Sequence, residues 1–333
     1  MKTLGMIVRS DCEDSSMVGL LSHDFLFVPF DFQVKNGVVE TKVDAAYWGG
    51  TETPEFGDMT FLKELGVRQI GMPRVSKLEE HLILSRLGIP CPEYYNANTR
   101  FSFQASSLLE GIDDDTPLVV KSFYGARGLQ QFLIRRGALV RSVYPGADMK
   151  AGKKQGRFLD KVESKKQSTS VLDASERRAT DDEDVVLGGD ENDKDISKHF
   201  FEDKDLKNWL ITKKVQVQHE YRVIAFHDAG LMWCERHANL GHFQNNLAVG
   251  TEVSYLGVDA YVPVPDVVKS ATFKFAAALQ KEYPTAPFFS MDVYLSDAGD
   301  VGLFEYSGEF GFAAMDFDEI RKRSVKAINS LLR

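Results

Sequence analysis

The chain has 333 residues, enough for two or three packed units with their own cores, and its 43% apolar and 27% charged residues are ordinary for a soluble globular protein. A formal net charge of −9 leaves no basic excess to neutralise phosphates, so a nucleic-acid backbone is not expected as a partner. Three scattered cysteines (Cys12, Cys91, Cys234) make no disulfide framework, Arg9, Asp11 and Glu13 break up any leader-like start, and no apolar run is long enough for a bilayer; a cytoplasmic protein with no membrane partner is expected.

In chain order, Leu4 to Val8 and Phe25 to Val28 read as strands. Val34 to Val43 carries Lys35-Asn36-Gly37, a hairpin signal. Asp58 to Leu65 reads as a helix and Val67 to Gly71 as the strand after it, so a small sheet with helices on it is expected. Ser76-Lys77-Leu78-Glu79 is a capping-box pattern. It opens a helix that runs to about Leu87 and stops at Gly88, with Pro90 beyond. Leu118 to Val120 is a short apolar strand ending in Lys121; the loop Gly125-Ala126-Arg127-Gly128 and a strand from Gln131 to Ile134 follow.

From about 146 to 207 lysine, serine and acidic residues dominate, including Asp181-Asp182-Glu183-Asp184. The composition predicts a solvated or disordered insertion. Strand signals return at Lys214 to Gln218, Tyr221 to Phe226 and Leu231 to His237. Val267 to Lys281 is a helix, Phe288 to Leu295 and Val301 to Tyr306 are strands, and Phe317 to Leu332 is a closing helix.

The strongest chemical signal lies around Asp297-Ala298-Gly299-Asp300, which reads as a tight turn between antiparallel strands. If Ala298-Gly299 is a two-residue loop, Asp297 faces Asp300 and, counting outward, Asp292 faces Glu305. Two opposed carboxylates repel unless a cation sits between them. Ser307, two residues past Glu305, shares its face. Asp292, Glu305 and Ser307 then form an oxygen-rich site suited to Mg²⁺ carrying phosphates. A bulge would spoil this register, and two solvent-facing acids on a surface hairpin remain the competing explanation.

Lys121 ends a buried strand beside glycine-bearing backbone, an arrangement suited to phosphate. Lys77 stands in the first turn of its helix, where the macrodipole disfavours a cation unless an anion is near. Either lysine could instead extend its head into water. Cys234, His237 and His242 supply only three zinc donors, and the first two point to opposite faces of a strand. There is no Gly-x-Ser-x-Gly elbow and no Gly-x-Gly-x-x-Gly fingerprint.

In order along the chain, Arg74-Val75-Ser76-Lys77-Leu78 running on to Pro92, Pro117 to Lys121, Leu210-Ile211-Thr212-Lys213-Lys214, Glu220-Tyr221-Arg222-Val223 with Glu235-Arg236, Phe243 to Gly250, and Asp292 with Phe304-Glu305-Tyr306-Ser307 resemble the ATP-grasp superfamily. The likeness is greatest to RimK-type glutamate ligases and glutathione-synthetase-like carboxylate–amine ligases, and it runs from about Arg74 to Phe312 without the acidic insertion. The resemblance implies an α/β (α+β) ATP-grasp fold of three α/β subdomains with ATP between the central and C-terminal ones. Residues 1–95 would be the N-terminal substrate domain, 96–212 the central lid carrying the insertion at about 146–207, and 213–333 the catalytic subdomain.

It also implies an ATP-dependent ligase that forms a C–N bond through an acyl phosphate, taking ATP, a carboxylate and an amine. Mg²⁺ would serve as one ion or two, with Mn²⁺ able to substitute, and a homo-oligomer is left open. Lys77 and Lys121, with Gly125 and Gly128, would hold phosphates, and Ile211, Thr212 and Lys213 would meet the adenine edge. Asp292, Glu305 and Ser307 would carry metal. Arg236 would stabilise the transferring phosphoryl group, Arg222 would support phosphates or substrate, and Asn246 would place an oxygen of the metal shell or substrate.

This chain departs from the family pattern in Ser307, where an asparagine is usual, and in Thr212-Lys213 at the hinge. Gln244 and Val249 stand where glutamate-ligating relatives carry basic residues, which argues against the same acidic substrate. Two alternatives remain: a non-catalytic adenine-nucleotide-binding module, and an ATP-grasp kinase that phosphorylates a hydroxyl.

Overall fold

The protein is seen here as a computed structural model that describes residues 1–6, 16–35, 38–48, 56–73, 75–96, 113, 115–122, 131–135, 209–237, 252–308 and 315–333. The acidic tract at 146–207, the loop with Gly125 and Gly128, and the turn with Asn246 lie outside the described residues. The chain divides into two compact units, Met1–Cys91 with Val217–His237 and Glu252–Arg333, and Pro92–Gln216 with Ala238–Thr251.

The larger unit begins with a parallel sheet of β1 (Lys2–Met6), β2 (Phe25–Pro29), β5 (Ala45–Trp48) and β6 (Gln69–Gly71) in the order β2-β1-β5-β6. The expected strands at Leu4 and Phe25 and the strand before Gly71 are all present. β5 had no strong sequence signal, being four residues long and buried throughout. Helices α1 (Ser16–Leu21) and α2 (Phe56–Glu64) belong to this sheet's connections, and β3 (Phe32–Lys35) and β4 (Val38–Thr41) pair as the expected hairpin.

The same unit holds a five-stranded antiparallel sheet. Its strands are β11 (Val217–Phe226), β12 (Gly230–His237), β13 (Glu252–Val258), β14 (Phe288–Ser296) and β15 (Val301–Ser307), in the order β13-β12-β11-β14-β15. Among the described residues the unit also has the α-helices α3 (Lys77–Arg86), α4 (Asp266–Glu282) and α5 (Phe317–Leu331). Alternate residues of the sheet feed two different cores. Tyr221, Val223, Ala225, Trp233, Phe289, Met291, Val293 and Leu303 pack with Leu84 of α3 and with Val268, Phe275 and Leu279 of α4. Ile224, Phe226, Met232, Cys234 and Phe288 pack with Leu4, Leu21 and Ile70 and with Ile320, Ala327 and Ile328 of α5. Both faces therefore carry a core, and the nine residues of β14 are buried throughout.

The second unit holds β7 (Tyr94–Asn96), β8 (Pro117–Ser122), β9 (Gln131–Arg135) and β10 (Trp209–Lys213) in the order β7-β10-β8-β9. The strand expected from Lys214 to Gln218 begins only at Val217, and residues 214–216 link two strands. β10 ends at Lys213 in one sheet and β11 starts at Val217 in another, and the chain changes sheets between them.

The turn at Asp297 also corrects the sequence reading. It is a three-residue loop, closed by Ser296 N–H donating to Asp300 O at 2.8 Å and Gly299 N–H donating to Ser296 O at 2.9 Å. Gly299 has φ +88°, the left-handed conformation such a loop needs and a side chain resists. Leu295 therefore pairs with Val301 and Val293 with Leu303, one residue away from the two-residue-loop register. A β-bulge between this run and Asp292 adds the residue back, and Asp292 faces Glu305 after all.

Candidate active site

The bulge decides where Glu305 points. Leu303 and Tyr306 both face the core shared with α3 and α4, although their numbers differ in parity. An extra residue must lie between them, and Phe304 supplies it. Without it Glu305 would share Leu303's face and point into apolar packing. With it, Glu305 joins Asp292, Arg222, Glu220 and Arg236 on the opposite face.

Strand pairing assembles the rest. Glu220 pairs with Arg236 across β11 and β12, and Arg222 pairs with Asp292 across β11 and β14. Arg222 donates from Nε to Asp292 Oδ1 and from Nη2 to Asp292 Oδ2, both at 2.8 Å, a bidentate fork. Arg236 Nη1 donates to Glu220 Oε1 at 2.8 Å and to Asp292 Oδ2 at 3.0 Å. Arg222 Nη2 lies 4.0 Å from Glu305 Oε1. Lys77, the first residue of α3, donates from Nζ to Glu305 Oε2 at 2.7 Å and lies 3.1 Å from Glu80 Oε2. Three cations thus stand among four carboxylates.

The Lys77 position follows from local sequence. Ser76 and Glu79 form the expected capping box, with Glu79 N–H donating to Ser76 Oγ at 3.3 Å and Ser76 N–H donating to Glu79 Oε2 at 2.8 Å. That fixes the first turn, and the conflict between a cation and the helix dipole is relieved by Glu80 and Glu305.

Burial is uneven across the cluster. Asp292 is 4% exposed and Arg236 8%, while Glu305 keeps 35% of its side chain in solvent. Burial alone would lower the Lys77 pKa, but the Glu305 and Glu80 carboxylates outweigh it and hold the ammonium above its ordinary value. Burial likewise opposes the Arg222 charge, and Asp292 overrides it. Glu80 is pushed up to about 7, first by burial, against the pull of Lys77 and with the repulsion of Glu305. Cys234, on the same face, is pushed up to about 12 by burial, which makes it an inert packing thiol. His237 is hydrogen-bonded to Ser254 Oγ at 2.9 Å.

Among the described residues no three His, Cys, Asp or Glu side chains are arranged to hold a metal ion. Mg²⁺ seldom needs such a cage, since one or two carboxylates with water and phosphate oxygens suffice. Facing Asp292 and Glu305 meet that donor requirement, and the oxygens that accept from Lys77 and arginine keep lone pairs. Ser307 pairs with Ser290, and its carbonyl accepts from Ser290 Oγ at 3.5 Å.

Of the residues singled out from sequence, Lys77, Arg222, Arg236, Asp292, Glu305 and Ser307 thus come to one face and edge of a single sheet. Lys121, Ile211, Thr212 and Lys213 lie in the other unit. There Lys121 is the next-to-last residue of β8 and pairs with Leu210 of β10, and Ile211 sits between Tyr95 and Val120. The N–H groups of Lys213 and Lys214 donate to Glu93 O at 2.8 Å and Pro117 O at 3.0 Å. Glu80 was not singled out, although its spacing of three from Lys77 on one helix was a usable signal. Glu220 appeared only within a motif. Counting back from the Phe226–Gly230 turn would have set it against Arg236.

No family model matches the sequence, and no curated protein matches it. Solved structures do match by fold. D-alanyl-alanine synthetase A from Vibrio cholerae O1 biovar eltor str. N16961 aligns at TM-score 0.55 and 10% identity over 99% of this chain and 98% of its own. VanG D-Ala:D-Ser ligase from Enterococcus faecalis aligns at TM-score 0.55 and 13% identity over 100% and 99%. The ATP-grasp ligase PsnB, complexed with a phosphomimetic variant of its minimal precursor, Mg and ADP, aligns at 0.51 and 12% over 100% and 99%. The fold of this chain is that of the ATP-grasp ligases.

Proposed function

We propose that the protein is an ATP-dependent carboxylate–amine ligase working through an acyl phosphate. The observation that carries this reading is the Asp292–Glu305 pair on one sheet face, ringed by Lys77, Arg222 and Arg236. Surface acids on a hairpin, the competing explanation, do not fit an Asp292 that is 4% exposed and held by two arginines.

The two kinds of charge suit a nucleotide triphosphate with its cation. Asp292 and Glu305 would hold Mg²⁺, which supplies charge screening on the phosphate oxygens. Lys77, Arg222 and Arg236 are donors without acceptor capacity. They would exchange carboxylate partners for phosphate oxygens and hold the charge that spreads over the transferring group. Arg236, the most buried of the three, is the fixed cation for that role, and Arg222 orients Asp292 through its fork. A carboxylate activated as an acyl phosphate gains a good leaving group, and an amine displaces it. Lys121 is proposed as a further phosphate ligand and the Ile211–Lys213 stretch as the adenine contact. Because the Lys213 and Lys214 N–H groups already serve their own sheet, adenine would be met chiefly by carbonyl groups there.

The test is ADP release in the presence of Mg²⁺, ATP and a panel of acid and amine pairs. Release that needs both an acid and an amine supports the ligase. Release with a hydroxyl acceptor alone supports a kinase. Mg²⁺-dependent ATP binding without turnover supports a nucleotide-binding module, a reading favoured by Ser307 at the metal end.

A further inference from the structure

We propose that Glu80 is a positioning residue of this site: by accepting the Tyr306 N–H it holds the bulge at Phe304 that turns Glu305 toward Asp292. The inference rests on the reading of Glu305 as part of the metal-binding pair.

β15 is an edge strand, so its outward N–H groups need partners from outside the sheet. Two are accounted for. Leu303 N–H donates to Pro90 O at 2.8 Å, and Tyr306 N–H donates to Glu80 Oε1 at 2.5 Å. These donors are three residues apart. In a regular strand outward donors recur every second residue, so Leu303 would be followed by Glu305. An outward Tyr306 N–H exists only because the strand is bulged. Glu80 therefore satisfies the one donor that distinguishes the bulged register from the straight one.

The acceptor is itself well held. Glu80 is 2% exposed, one turn into a helix whose start is fixed by its capping box. Its second oxygen lies 3.1 Å from Lys77 Nζ, which also reaches Glu305. One buried side chain thus ties α3 to β15 through both backbone and charge, on either side of the residue it orients. Burying a carboxylate is costly without such bonds. Tyr306, whose hydroxyl is hydrogen-bonded to that of Tyr283 at 2.8 Å, anchors the far side of the bulge in the core.

The bond predicts a separation between two substitutions. Glu80→Gln keeps an acceptor oxygen without charge, and Glu80→Leu keeps bulk without an acceptor. Backbone amide exchange of the unliganded full chain reads the bulge directly. Mg²⁺ titration of the ATP-induced thermal shift reads Glu305. In Glu80→Leu the Tyr306 amide should exchange about tenfold or more faster, the value of one lost hydrogen bond, while the Leu303 amide keeps its protection. The Mg²⁺ needed for half the shift should rise by a similar factor. Glu80→Gln should stay within about threefold of the parent chain in both. Unchanged Tyr306 protection in Glu80→Leu overturns the proposal. So does a Glu80→Gln chain as impaired as Glu80→Leu, because the charge on Lys77 would then be what matters. The exchange arm needs no nucleotide. A parent chain that fails to bind ATP defeats the ligase reading and leaves the exchange result standing on its own.

Discussion

The two faces of the five-stranded sheet are built from the same strands, yet they are held together by different physics. The face toward α3 and α4 is apolar through its buried length, with Val223, Trp233, Met291 and Val293 all 0% exposed, and turns polar only past Tyr221, where His219 meets Glu235 at 2.7 Å. The face toward α5 is apolar only for part of its length. Ile224, Met232 and Cys234 give way to Arg222, Asp292, Glu220 and Arg236 one step along the same strands. The first face gains from every methylene it removes from water. The second spends part of its area on buried charge, which stabilises little beyond what desolvation costs. Such an arrangement is expected where the surface has work to do besides packing, and here the charge lies where phosphates and Mg²⁺ are proposed to bind.

Substitutions can break that comparison. Asp292→Ala leaves Arg222 and Arg236 buried without their shared partner and should cost about 3–5 kcal/mol in urea denaturation. A loss below about 1 kcal/mol would show that the charged face is wetter and looser than its geometry implies. Phe289→Ala on the apolar face should cost a comparable amount, about 3–5 kcal/mol, by leaving a cavity.

A pH series sharpens the contrast. The Glu80 carboxyl is raised to about 7 in the folded chain, first by burial. A raised acid binds its proton more tightly in the folded than in the unfolded state. Its contribution to stability is therefore present at low pH and is lost as pH rises from the ordinary carboxyl range to about 7. The parent chain should lose stability on the order of a few kcal/mol across that window relative to Glu80→Gln. Parallel pH profiles for the two chains would contradict the assignment. The smallest effect expected is that of Tyr283→Phe, which removes the acceptor or donor of the buried Tyr306 hydroxyl. It should cost about 1–2 kcal/mol with no change in Mg²⁺ dependence.

Much of this architecture was legible in the sequence, though not always for the stated reason. The capping box at Ser76 placed Lys77 correctly because a helix start is a local event. The facing of Asp292 and Glu305 was anticipated from a two-residue loop that does not exist. A three-residue loop shifted the register by one, and the bulge at Phe304 shifted it back. A bulge is a tertiary compromise between core demand for Tyr306 and edge satisfaction by Glu80, and no window of β15 alone reveals it. The division between β10 and β11 was missed for a related reason. Lys214 to Gln218 has strand-like composition, and only the two separate sheets show why pairing stops there.

The most direct test of the central claim is ATP binding by calorimetry on the full chain, with and without Mg²⁺, for the parent and Glu305→Gln. The account predicts Mg²⁺-dependent ATP binding that weakens by about tenfold or more when the Glu305 charge is removed, the scale of one charge-assisted contact. Absence of binding at millimolar ATP, or identical Mg²⁺ dependence in both chains, would contradict it.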